Sequence, residues 1–105
     1  MRKYNKLVRD NIPNIIQNEG RNVNIRILNN EEYKKELNKK LYEEVNEYLC
    51  DNNIEELADI AEVIYSLLRV EGITKKEFEK IRINKNKKNG AFHKKIYLIG
   101  AEDRK

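Results

Sequence analysis

Apolar residues return every three to four positions through two long stretches of this chain, and that spacing predicts helices. Tyr33, Leu37, Leu41, Val45 and Tyr48 line one face of a helix from Glu31 to about Cys50, with Asn29 and Asn30 as N-cap candidates. Asp51-Asn52-Asn53 is a tight connection that also supplies the next cap, and a second helix runs from Ile54 to about Glu71, stopped by Gly72. So many of its positions are apolar that this second helix reads as nearly all core. Thr74-Lys75-Lys76-Glu77 is a capping box opening a further helix, which frays into Lys85–Gly90. Upstream, Asp10 to Gln17 forms a short helix that tolerates Pro13 near its start and ends at Gly20. Two segments alternate instead: Val23–Leu28 and Lys95–Ile99 read as short strands that could pair. The expected fold is all-α, a helical bundle built on an antiparallel helix hairpin, with a small two-stranded accessory sheet. The 105 residues suit a single domain, 1–105.

Several carboxylates fall on the apolar faces of that hairpin. Glu44 lies inside the apolar stripe of the first long helix, Glu47 and Lys40 sit on its edge, and Glu43 turns toward water. On the second helix Glu56 lies between Val63 and Ile60, with Asp59 at the border of the same face. An ionised carboxylate away from water is unstable unless paired or metal-bound. Counted from the Asp51–Asn52 turn, Glu47 and Glu56 are equidistant on opposite arms, and so are Glu44 and Asp59. With helix axes ~8–10 Å apart, the four acids could converge on one gap. Their mutual repulsion calls for a cation, and an all-oxygen ligand set selects a hard one, Mg²⁺ or alternatively Mn²⁺. Alone, a Glu-x-x-Glu step in a Glu/Lys-rich helix is a solvated face; the symmetric placement of two such steps among apolar neighbours is what points to metal.

Charge sharpens this picture. The net charge of +4 conceals three blocks: +4 over residues 1–29, −7 over 30–72 and +7 over 73–105. An acidic middle with basic flanks suits a metal ion plus a polyphosphate, and by composition alone it equally suits a solvated helical surface with a basic tail. Lys6 and Arg9, with Lys3, Lys85, Lys87 and Lys88, are basic enough to hold a triphosphate. Other classes fall away. No apolar run approaches the ~18 residues needed to cross a bilayer, so no membrane partner is expected. The opening Met1-Arg2-Lys3-Tyr4-Asn5-Lys6 lacks the apolar stretch of a secretory signal, and a cytoplasmic location is expected. The single cysteine, Cys50, excludes an internal disulfide and a Cys-based zinc site, and the single histidine, His93, excludes a His cluster. A Walker-type Gly-rich loop is absent, which excludes that kind of ATPase.

The stretch Lys40-Leu41-Tyr42-Glu43-Glu44-Val45-Asn46-Glu47, followed by Glu55-Glu56-Leu57-Ala58-Asp59, resembles the signature of the MazG-like all-α nucleotide pyrophosphohydrolases, Glu-x-x-Glu and then Glu-x-x-Asp. Tyr4-Asn5-Lys6-Leu7-Val8-Arg9-Asp10-Asn11-Ile12-Pro13, Gly90-Ala91-Phe92 and Ile96-Tyr97-Leu98 are similar to the small stand-alone branch called phosphoribosyl-ATP pyrophosphohydrolase-like. Family members often end Gly-Gly-Phe followed by an acid, where this chain has Gly90-Ala91-Phe92-His93. The resemblance implies Glu44, Glu47, Glu56 and Asp59 as Mg²⁺ ligands and Lys40 as a contact to substrate phosphate. It also implies hydrolysis of a nucleoside triphosphate to the monophosphate and pyrophosphate, with Glu44 or Glu47 as the base-side carboxylate. A homodimer or higher homo-oligomer is expected, because the apolar second helix is hard to cover within one small protomer. Two other readings compete: a basic module holding RNA or DNA through the terminal segments, and a helical partner domain that binds nucleotide without turnover. Nucleic-acid-reading motifs are absent, which counts against the first of these.

Overall fold

A computed structural model describes residues 3–104, so the expectation resting on Met1 and Arg2 lies outside them. It contains four helices: α1 (Ile12–Asn18), α2 (Asn30–Asp51), α3 (Ile54–Val70) and α4 (Lys75–Asn89). The chain divides at Ile73–Thr74 into two compact units, the first holding α1 to α3 and the second α4 with the segment after it. The fold is all-helical, and among the described residues no helix is long and apolar enough to cross a membrane.

Side chains fix where the helices begin. The Asn29 side chain accepts from the Glu32 amide at 2.9 Å and starts α2, with Glu31 and Glu32 in the favourable first turn. Asn52, in the left-handed conformation at φ 53°, ends α2, and the Asn53 side chain accepts from the Glu55 amide to start α3 at once. The link between α2 and α3 is therefore two residues long. These helices pack on one another as an antiparallel hairpin: Lys34 in the first turns of α2 ion-pairs with Glu71 just beyond the end of α3. Leu37 (3% exposed) and Val63 (7%) are the buried apolar side chains between them. In the second unit Thr74 and Glu77 exchange both bonds of the capping box.

Three expectations need correction. No strand occurs among the described residues: Val23–Leu28 and Lys95–Ile99 are irregular, with Ile27 87% and Ile99 94% exposed. Alternation marks a strand only where a partner and a packed face exist, and two segments this short supply neither by themselves. The second long helix is also less buried than its composition suggests. Only Val63 and Ser66 of α3 are buried, and Ile54 stays 74% exposed because α2 covers one side alone. Finally, α4 does not fray at Lys85; it continues to Asn89, where the Gly90 amide closes the last turn on the Asn86 carbonyl at 2.8 Å.

Candidate metal centre

Position 44 on α2 points into the groove facing α3, as its place in the apolar stripe requires. Glu44 is 6% exposed, and its Oε2 is buried with no hydrogen-bond partner. A buried carboxylate oxygen left without a donor costs free energy, so such an atom asks for a ligand or a proton. Loss of hydration pushes the Glu44 carboxyl up first, and the neighbouring Glu47 and Asp59 carboxylates push it further, while Lys40 opposes them. Glu43, Glu44 and Glu47 can each bring a carboxylate oxygen within 4.8 Å of the others.

From α3, Glu56 adds a second buried and unpartnered oxygen, Oε2. Its carboxyl is pushed up to about 7, mainly by loss of water, then by the Asp51 carboxyl beside it and the charges of Glu47 and Asp59. Asp59 is held otherwise: Arg9 Nη2 donates to its Oδ1 at 2.6 Å. Cations from two segments offset this negative charge only in part. Lys40, half-buried, stands 3.6 Å from both Glu43 Oε1 and Glu44 Oε1, and Lys6 reaches Glu43 Oε1 at 3.8 Å. With Asp51 counted, the carboxylates outnumber Lys6, Arg9 and Lys40.

The sequence-predicted ligands thus divide into two sets. Glu44 and Glu47 join a tight trio on α2, whose third member is Glu43. Glu56 and Asp59 act on that trio as neighbouring charges, one beside Asp51 and the other against Arg9. Two members of the centre, Glu43 and Asp51, lie outside the Glu-x-x-Glu and Glu-x-x-Asp steps. Glu43, which the helical wheel turns toward water, is half-buried, with Lys40 3.6 Å and Lys6, from a segment no helical wheel includes, 3.8 Å from its Oε1. Asp51 looked like turn chemistry, yet α2 extends through it and brings it to Glu56. Lys40, Lys6 and Arg9, expected to contact substrate, are all bound to acids of this centre.

Chemically, the donor set is oxygen throughout, as hard divalent cations prefer, and two of its oxygens are buried without donors. The residues present fit such an ion. Compared with family models, with curated proteins and with solved structures, the chain matches none.

Proposed function

We propose that this chain is a Mg²⁺-dependent nucleoside triphosphate pyrophosphohydrolase of the MazG-like kind, with Mn²⁺ as the alternative ion. The observation that carries this reading is Glu44: a carboxylate 6% exposed, with Oε2 unpartnered, among further carboxylates of α2 and α3. Glu44 and Glu47 would hold the ion from α2, and Glu56 and Asp59 from α3. A bound divalent cation supplies charge neutralisation at the phosphates and a more acidic water.

The chain's own residues divide the remaining work. Glu47, open to solvent, is the carboxylate best placed to take a proton from the attacking water, whereas Glu44 is enclosed. Lys40, one turn before Glu44 on the same face, is held at the centre by two acids and would stabilise negative charge developing on the phosphates. Lys6 and Arg9 sit at the solvent side in exposed ion pairs, which exchange at little cost, so both would turn to an incoming triphosphate. A second copy of the chain would cover the apolar residues left exposed on the hairpin, Leu49, Ile54 and Leu57 among them.

Pyrophosphate release from a panel of nucleoside triphosphates, with Mg²⁺ and with EDTA, tests the proposal. Turnover is expected only with the metal, and Glu44→Gln should lower it on the order of 10²–10³-fold while the circular dichroism spectrum is kept. No release from any nucleotide with either metal removes it. For the dimer, a solution mass of 12.6 kDa by light scattering at micromolar concentration would show the protomer alone and sink that part.

A further inference from the structure

One cleft of about 200 Å³ continues from the acidic centre along the groove between α2 and α3, with the Leu7–Asp10 segment also lining it. Lys40, Glu44 and Asp59 line one end of it. Tyr33 and Leu37 from α2 and Val63, Ser66 and Arg69 from α3 continue the lining, each three or four residues beyond the last on its helix. Because α2 and α3 are antiparallel, Tyr33 and Arg69 stand at the same end, away from Glu44 and Asp59. Ten or eleven residues of helix separate the two ends, a length of about 15 Å, comparable to an extended nucleoside triphosphate.

The far end has a defined polar edge. Ser66 is buried, and its hydroxyl donates to the Glu62 carbonyl at 2.9 Å. The same oxygen accepts from Arg69 Nη2 at 2.9 Å, which ties the guanidinium to the cleft wall. Glu62 also lines the cleft, with its Oε2 3.4 Å from the same Arg69 nitrogen. Both contacts use Nη2 of a group with five N–H donors, so Arg69 can donate further, and the Glu62 carboxylate can accept through both of its oxygens.

We infer that this end of the cleft is a guanine subsite, with the Tyr33 ring against the base, Glu62 accepting from N1–H and the 2-amino group, and Arg69 donating to O6. The inference rests on the nucleotide reading above and adds which base is taken. A carboxylate accepting through both oxygens needs two adjacent donors, and guanine is the common base that presents them. Adenine and cytosine each set a ring nitrogen acceptor beside their amino group, and uracil flanks its N–H with two carbonyls, so each would turn a lone pair on Glu62. The arginine beside it complements O6, as in the pairing of arginine with guanine elsewhere.

Ligand-observed NMR with guanosine, adenosine, cytidine and uridine in EDTA tests the base subsite without metal or phosphate. Guanosine should bind at least about tenfold tighter than the other three, and Glu62→Gln, a change at an exposed position, should erase about tenfold of that preference without moving the melting temperature. Equal binding of the four nucleosides, binding of none, or an unaltered preference in Glu62→Gln overturns the inference. Pyrophosphate release is scored separately: turnover with no base preference keeps the hydrolase and discards the subsite, whereas selective guanosine binding without turnover keeps the subsite and discards the hydrolase.

Discussion

Helices α2 and α4 begin equally well and end up in different environments. Both start at side-chain caps that accept from the amide three residues on, and α4 has the more complete arrangement, a reciprocal capping box. Yet α2 buries Leu37 and Glu44, whereas α4 buries no side chain. Composition explains the difference. Along α4 only Phe78, Ile81 and Ile83 are apolar, amid Lys, Arg, Glu and Asn, so its apolar stripe is narrow. A cap decides where a helix starts; the apolar stripe decides whether anything packs against it. The hairpin then takes a liability with its packing, because the stripe that buries Leu37 also buries the Glu44 carboxylate.

The largest expected effect is in the hairpin interior. Leu37→Ala should lower stability in urea by ~2–5 kcal/mol, whereas Ile81→Ala in α4 should cost less than about 1 kcal/mol. Equal losses would mean that α4 is packed as α2 is. Next comes the cap of the exposed helix: Thr74→Ala should cost about 1 kcal/mol, seen as faster amide exchange at Glu77 and Phe78 with the rates in α2 unchanged. Spread of the effect into α2 would break the contrast.

A smaller effect should come from Arg9. Its guanidinium competes with any cation for Asp59, so Arg9→Gln should tighten Mn²⁺ binding about two- to fivefold, as befits loss of an exposed ion pair. Weaker binding in a calorimetric titration would show Arg9 to be a support of the site instead. Last is a pH dependence, modest because Glu56 is partly solvated. Its carboxyl is raised from 4.5 to about 7 in the folded chain, so the folded state keeps a proton that the unfolded state has released. With EDTA present, the stabilisation is complete below about 4.5 and is lost as pH rises through about 7. The urea midpoint should therefore fall across that window, and Glu56→Gln should flatten the fall. A midpoint that rises instead would mean that the carboxylate is better satisfied than its surroundings suggest.

Local chemistry was readable from the residues alone. The Asn29, Asn53 and Thr74 caps, the stop at Gly72 and the enclosed position of Glu44 each follow from a few neighbours in sequence. What could not be read depends on distant chain. The alternation in Val23–Leu28 and Lys95–Ile99 is meaningful only with a packed partner, and none is present among the described residues. The ion pair of Glu43 with Lys6 reaches a residue that lies beyond any periodic pattern on α2. The exposure of Ile54 reflects how little of α3 one neighbouring helix can cover. The symmetric count about the turn brought the right helices together, but it could not anticipate that Asp59 takes Arg9 and Glu56 takes Asp51.

The two-residue link also sets the positions of the acids on α3. With Asn52 left-handed and Asn53 already capping the next helix, no slack exists between the arms. One residue inserted inside the first turn of α3, ahead of Glu56, would turn everything after it by about 100° relative to the Asn53 cap, carrying Glu56 and Asp59 round together. Substitution at Asn52 is another matter, since glycine adopts that backbone freely. The bend therefore works as a gauge for the acids beyond it: its side chains can drift, while the helical count from Asn53 to Glu56 and Asp59 sets where those carboxylates point.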